Sequence, residues 1–152
     1  MRCSWKHEAL GRVDLLISFS GSEHQVNKIL LIDDDEDILV ELKELVMLLG
    51  FVCCSARNTQ LALVELERHP DIALIISDLR MPDQSGLRLL QILNERYTDG
   101  QRIPIIITSG HADMDDVITL FRNGAADFLP KPIHYEHLVE QLERFFPAHE
   151  MG

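Results

Sequence analysis

IALIISD, residues 72–78, is the stretch of sequence that decides the fold, and it leads into the segment MPDQSG at 81–86. Five apolar residues in succession favour a strand that is buried on both faces, as in parallel sheets covered by helices. The apolar run stops at Asp78, and the segment after it has the composition of a turn. We therefore predict a buried strand over 72–76 with Asp78 at its carboxyl end.

Four further stretches also favour strands, although the last of them is short and includes Asp127. They lie at 29–32, 51–54, 103–107 and 126–129. The residues between and after them repeat apolar side chains at helical spacing, which predicts five helices. These helices are expected near 38–49, 58–69, 87–93, 113–123 and 135–146, and Gly50 and Gly124 are typical helix stops. Strands that alternate with helices indicate a single α/β domain, with a parallel sheet and helices on both faces.

The charge balance of the chain is strongly acidic. Its 152 residues include 14 Lys and Arg against 25 Asp and Glu, which gives a net charge of -11. Such a surface repels a phosphate backbone, so we expect no direct binding to nucleic acid. No apolar run is long enough to span a bilayer, so we expect no membrane association and a cytoplasmic protein.

The two ends of the chain differ from its centre. Residues 1–26 show no clear period and contain a Ser/Gly patch, and we interpret them as a flexible extension or a weak helix. The domain is expected over 27–147, and 148–152 form a C-terminal tail.

The three cysteines carry no pattern of their own. Cys53 and Cys54 are adjacent in a predicted strand, where neighbouring side chains point to opposite faces, so a disulfide between them is not expected. No Cys/His spacing in the sequence is typical of a zinc site. We expect reduced thiols, including Cys3.

Residues with reactive or metal-binding side chains follow the predicted strands. They are Asp33 and Asp34 after the first strand, Asp78 after the third, Thr108 after the fourth and Lys131 after the fifth. Parallel sheets gather such residues at their carboxyl edge. Crowded carboxylates favour a cation, and oxygen ligands suit Mg²⁺. A metal, an ammonium and a hydroxyl around one carboxylate suit phosphoryl transfer, with Asp78 as the nucleophile.

Four motifs in order carry a family resemblance. They are KILLIDDD at 28–35, SDLRMPDQSG at 77–86, IIITSG at 105–110 and GAADFLPKP at 124–132. Together they resemble the response regulator receiver family of two-component signal transduction, over about 27–147. The resemblance implies a flavodoxin-like (βα)5 domain whose parallel sheet has the strand order 2-1-3-4-5.

The resemblance also implies a role for each motif residue. Asp78 matches the phosphoacceptor, and Lys131 matches the lysine that pairs with the phosphoryl group. The Mg²⁺ ligands would be Asp33, Asp34, Asp78 and the backbone carbonyl of Arg80. Thr108 matches the switch hydroxyl and Phe128 the aromatic that turns inward with it. The Lys131–Pro132 peptide bond is expected to be cis.

The implied function is a phosphorylation-activated switch rather than an enzyme. A sensor histidine kinase or a histidine phosphotransfer protein would supply the phosphoryl group. A downstream protein would read the face formed by the fourth helix, the fifth strand and the fifth helix. The same face is a candidate surface for a homodimer.

Three alternatives compete with this interpretation. A constitutive interaction module would have lost phosphotransfer, yet the acids, Thr108 and Lys131 are all present. An aspartyl phosphohydrolase typically carries a second aspartate two residues after its nucleophile, where this chain has Arg80. A calcium loop beginning at Asp33 would need glycine at Ile38.

Overall fold

The computed structural model describes residues 27–147, and they form one five-stranded parallel sheet. The strands are β1 (Lys28–Ile32), β2 (Val52–Ala56), β3 (Ile72–Asp78), β4 (Ile105–Ser109) and β5 (Asp127–Pro130). Their order across the sheet is β2-β1-β3-β4-β5, and every neighbouring pair is parallel. The predicted fold class and strand order are therefore confirmed.

Five helices cover the two faces of the sheet. They are α1 (Glu36–Leu48), α2 (Thr59–Arg68), α3 (Gly86–Arg96), α4 (Met114–Arg122) and α5 (Tyr135–Phe145), with a short 3-10 helix at Asp99–Gln101. Side chains of α1 and α5 pack into one buried cluster, and those of α2, α3 and α4 pack into the other. Alternate residues of each central strand serve the two clusters, because successive strand side chains point to opposite faces.

The arrangement places the two adjacent cysteines on opposite faces of the sheet. Cys53 packs in the cluster beneath α1 and α5, whereas Cys54 packs against the cluster beneath α2 to α4, as expected for strand neighbours.

The predicted extension at 1–26 and tail at 148–152 lie outside the described residues. Within 27–147, no helix is long and apolar enough to cross a membrane.

The strands reach further toward their carboxyl ends than predicted. Asp78 is the last residue of β3 and pairs in register with Thr108 of β4, so both lie within strands rather than after them. Hydrogen bonding between parallel neighbours extends the strands past the last apolar residue. The polar groups are therefore held by the sheet itself.

The helix ends follow local chemistry. The Asp35 side chain accepts the backbone N–H groups of Asp37 and Ile38 and so caps α1, which begins at Glu36, slightly before the predicted start near residue 38. Gly50 and Gly124 have φ angles of 94° and 97°, a conformation that favours glycine after a helix. Both predicted stops are confirmed.

The loop between β3 and α3 is attached to the start of α2. The Asp83 carboxylate Oδ2 accepts the backbone N–H of Thr59 at 3.0 Å and that of Gln60 at 3.4 Å. These are N–H groups that a helix start leaves without partners. A side chain 24 residues away in sequence thus joins Asn58 in capping α2.

Asp83→Ala is expected to lower the free energy of unfolding by about 1 kcal/mol, because α2 loses a cap. Urea unfolding would measure the change. Asp83→Asn keeps the accepting oxygen and should lose less than the alanine variant. Equal loss in both variants would show that the charge, rather than the hydrogen bond, carries the effect.

Candidate functional site

Three strands bring four charged side chains together at the carboxyl edge of the sheet. Asp33 and Asp34 follow β1, Asp78 ends β3, and Lys131 follows β5. One oxygen each of Asp33, Asp34 and Asp78 lie within 4.8 Å of one another. The central strands β1 and β3 are neighbours, and this adjacency lets acids distant in sequence meet.

The three carboxylates differ in their exposure. Asp33 and Asp78 are buried, at 3% and 8% relative exposure, whereas Asp34 is exposed. The Asp33 Oδ1 accepts the backbone N–H of Asp35 at 2.9 Å, which fixes its orientation. The cluster therefore has a rigid inner part and one carboxylate that faces solvent.

Lys131 bridges the two buried acids. Its Nζ lies 2.8 Å from Oδ2 of Asp33 and 3.1 Å from Oδ1 of Asp78. Its backbone N–H donates to the carbonyl of Ser109 at 2.9 Å, and the Lys131–Pro132 peptide bond is cis, as expected. The ammonium thus lies between the two carboxylates.

The surroundings shift the pKa values of two of these groups. Burial raises the pKa of Asp78, and the nearby charge of Asp33 adds to this, although Lys131 partly offsets both. Burial alone would lower the pKa of Lys131, but its hydrogen bonds to Asp33 and Asp78 outweigh burial and the pKa is raised. The site holds crowded negative charge that one lysine only partly neutralises.

Lys131→Met is expected to lower the free energy of unfolding at neutral pH by roughly 2 kcal/mol, because two buried acids lose their partner. The raised pKa of Lys131 means that its stabilisation is present below the ordinary lysine pKa and is lost as the pH rises through the folded value. The difference from wild type should also shrink in acid, where protonation of Asp78 removes the ion pair. Urea unfolding across the pH range, without divalent ions, measures this profile.

Lys131→Arg keeps the charge and is the matched control. It should retain most of the stability at neutral pH. A deficit in Lys131→Met that stays constant from acid to alkaline pH would instead indicate lost packing of the lysine stem.

The residues of the cluster fit a hard divalent cation. Three carboxylates and one ammonium leave an excess of negative charge in a half-buried place. Oxygen ligands of this kind suit Mg²⁺, which binds few protein carboxylates and keeps several waters. A cation there would also relieve the repulsion between Asp33 and Asp78.

The predicted switch residues lie on the adjoining strands. Thr108 is buried and stands opposite Asp78 in the register of β3 and β4. Phe128 is half-buried on β5 and packs against the cluster beneath α2 to α4. The sheet thus places Thr108 directly beside Asp78 and Phe128 one strand further away.

Arg80 directs its side chain toward α4. Its Nη2 lies 3.7 Å from Oδ2 of Asp116, which also accepts the N–H of Asp113 in the capping box of that helix. Both partners of the ion pair are exposed enough that it contributes little to stability. The loop after Asp78 is nevertheless connected to the start of α4, a contact that no pattern in the sequence indicates.

Gly86 is a second residue whose role the sequence does not reveal. A Cβ atom there would lie 2.6 Å from the backbone oxygen of Asp78, closer than real contacts allow. The Gly86 N–H donates to the carbonyl of Leu79 at 2.7 Å, which closes the loop onto the strand. In the sequence, Gly86 is marked only by its place at the end of a Pro-containing turn. Such turns contain glycine for many reasons, so this place does not reveal the close contact with Asp78.

Comparison with known proteins identifies the same segment. A family model for the response regulator receiver domain matches residues 29–143. The two-component response regulator PprB of Pseudomonas aeruginosa is 34% identical over 116 residues, which is 76% of this chain and 42% of PprB. The DNA-binding transcriptional regulator NtrC of Proteus hauseri is 33% identical over 121 residues, 79% of this chain and 24% of NtrC. The chain thus spans less than half the length of these relatives.

Solved structures agree with the family model. The response regulator receiver domain protein from Clostridium thermocellum has a TM-score of 0.73 and 28% identity, covering 80% of this chain and 95% of that one. The receiver domain of the Francisella response regulator 1452 has a TM-score of 0.71 and 26% identity, covering 80% and 97%. Because the family model spans the sheet, the acidic cluster and Lys131, the chain belongs to the response regulator receiver domain family, whose members act in phosphorylation-dependent signalling.

Proposed function

We propose that Asp78 accepts a phosphoryl group from a sensor histidine kinase or a histidine phosphotransfer protein in a Mg²⁺-dependent reaction. The observation that carries the proposal is the meeting of Asp33, Asp34, Asp78 and Lys131 at one edge of the sheet. The domain would assist its own phosphorylation and dephosphorylation and would not turn over a separate substrate.

Each side chain of the site would have a separate role in phosphoryl transfer. A carboxylate oxygen of Asp78 attacks phosphorus, an O–P bond forms, and the N–P bond of the donor phosphohistidine breaks, leaving the imidazole with the bonding electrons. Lys131 holds an ammonium beside the phosphoryl oxygens, and the Thr108 hydroxyl can donate to one of them. Asp33, Asp34, Asp78 and the backbone carbonyl of Arg80 would hold Mg²⁺, which when bound neutralises phosphoryl charge.

A groove beside the acidic cluster favours a protein as the phosphoryl donor. It has a volume of about 920 Å³ and lies between α1 and the segment that links β5 to α5. Its lining includes Leu45 and Leu48 of α1 together with Lys131 and Ile133. An apolar surface next to the acceptor lets a donor helix bind while its histidine reaches Asp78.

The output surface in this proposal is the face formed by α4, β5 and α5. Met114, Ile118 and Phe121 lie on one side of α4 at 73%, 41% and 45% exposure, so the helix presents an apolar stripe to solvent. Movement of Thr108 toward the phosphoryl group would draw Phe128 inward and shift the population of this face between two arrangements. A downstream protein or a second copy of the chain would bind one of them, and we place these events in the cytoplasm.

The test is phosphoryl uptake by the full chain from acetyl phosphate, with Mg²⁺ and with excess EDTA. We expect one phosphoryl group per chain with Mg²⁺ and little uptake with EDTA. Borohydride converts an acyl phosphate to the alcohol, so mass spectrometry of the digested protein should locate the modified residue at Asp78.

Three results would contradict the proposal. Modification of Asp83 in the same loop would show that the reagent reacts with accessible acids generally. Uptake that does not depend on Mg²⁺ would show that the acidic cluster does not act through a divalent ion. No uptake, either from acetyl phosphate or from a histidine kinase, would favour a constitutive interaction module.

A further inference from the structure

A second set of metal-binding side chains lies between β2 and α2. The Sγ of Cys54, a carboxylate oxygen of Glu65 and a ring nitrogen of His69 lie within 4.8 Å of one another. Cys54 is level with Leu30 in the sheet register, three residues before Asp33, which places the set roughly 10 Å from the acidic cluster. The set is therefore separate from the candidate phosphoryl-transfer site.

The fold assembles this set from residues without a recognisable spacing. The alternation of β2 turns Cys54 toward α2, while Cys53 faces the opposite side of the sheet. Glu65 and His69 are one helical turn apart, at the end of α2 and its cap, so their side chains are neighbours. The sequence lacks a zinc-like Cys/His spacing because two elements contribute the ligands.

The geometry of His69 aims one ring nitrogen at the set. Its Nε2 lies 3.5 Å from Oε1 of Glu65, and its Nδ1 lies 3.2 Å from Nζ of Lys28. Lys28 also pairs with Asp71 at 3.0 Å. The imidazole is thus oriented by contacts at both nitrogens, and the side chains of Glu65 and His69 are only 21% and 34% exposed.

We propose that Cys54, Glu65 and His69 bind a divalent transition-metal ion of the Zn²⁺ class through Sγ, a carboxylate oxygen and Nε2. Thiolate, imidazole and carboxylate are the ligands that Zn²⁺ selects, and Mg²⁺ avoids the first two. Bond lengths of 2.0–2.3 Å to one ion require ligand atoms about 3.5 Å apart, which modest side-chain rotations reach from the present spacing. The fourth position is left to water or a further ligand.

Binding involves a defined proton balance. The Cys54 thiol releases its proton to solvent as the metal–sulfur bond forms. Nε2 of His69 binds through its lone pair, so the ring proton resides on Nδ1, and Lys28 turns from the ring while keeping Asp71. No oxidant or reductant takes part.

The experiment is a Co²⁺ titration of the full chain with Mg²⁺ in excess, so that the acidic cluster is occupied. Wild type is expected to develop visible ligand-field bands of tetrahedral Co²⁺ and a near-ultraviolet sulfur-to-cobalt band, both displaced by Zn²⁺. Cys54→Ser should lose the sulfur band, and Cys54→Ser and His69→Gln should each weaken binding at least about tenfold.

The neighbouring thiol of Cys53 provides a matched control. Cys53→Ser should retain the spectrum and the affinity, because Cys53 packs on the opposite side of the sheet from the set. Circular dichroism and thermal unfolding without metal establish that each variant folds. The proposal is overturned if folded wild type gives no sulfur band, or if Cys54→Ser keeps the band, since the three residues then form only a packed polar cluster.

Discussion

Asp78→Asn is expected to reduce phosphoryl uptake from acetyl phosphate by at least about 100-fold, because an amide oxygen is a poor nucleophile. The substitution keeps the size and shape of a side chain that is 8% exposed, so the domain should fold. The measurement is incorporation of labelled phosphate with Mg²⁺ present. Uptake equal to that of wild type would exclude Asp78 as the acceptor.

The same variant should unfold at a higher temperature than wild type at neutral pH without divalent ions. The pKa of Asp78 is raised, first by burial and then by Asp33, so the folded state binds its proton more tightly than the unfolded state. Above the raised pKa the ionised carboxylate destabilises the fold, and asparagine removes this effect. The gap should close as the pH falls through that pKa. A variant that is inactive and less stable would indicate misfolding instead.

Gly86→Ala is expected to lower the free energy of unfolding by about 3 kcal/mol. The new methyl group would lie 2.6 Å from the Asp78 backbone oxygen and 3.2 Å from both Cδ1 of Ile107 and Cα of Leu79. Two of these three atoms are backbone, and Asp78 is held in register with β4, so the clash cannot be relieved by a rotamer change. Urea unfolding measures the loss.

Gly100→Ala is the matched control, because a Cβ there meets nothing within 4 Å. It should change the unfolding free energy by no more than about 0.5 kcal/mol. Gly86→Ala should also slow phosphoryl uptake, since relief of the clash displaces the strand end that carries Asp78. Equal stability of the two alanine variants would show that the loop yields easily.

The fold could be predicted from sequence because its signals are local. Apolar runs such as 72–76 and stops such as Gly50 and Gly124 identify strands and helix ends without knowledge of their neighbours. The strand ends could not be located in this way, since Asp78 and Thr108 enter β3 and β4 only through pairing with each other. The strand order required the family resemblance.

The sequence likewise predicts only some of the residues that form the candidate site. The sequence indicated Asp33, Asp78 and Lys131 because charged residues directly after buried strands are unusual. It did not indicate Asp83 or Gly86, whose roles depend on contacts with α2 and with the backbone of Asp78. A carboxylate in a turn and a glycine after it have the same appearance in sequence whether or not they make such contacts.

The bond between Lys131 and Asp33 joins residues 98 positions apart. The acid follows β1 and the lysine follows β5, so the site cannot form until the chain has been synthesised through both strands. A nascent or truncated chain that ends before residue 131 can form parts of the sheet but has no ammonium between its acids. The proposed phosphoacceptor site therefore forms only after residue 131 has been translated.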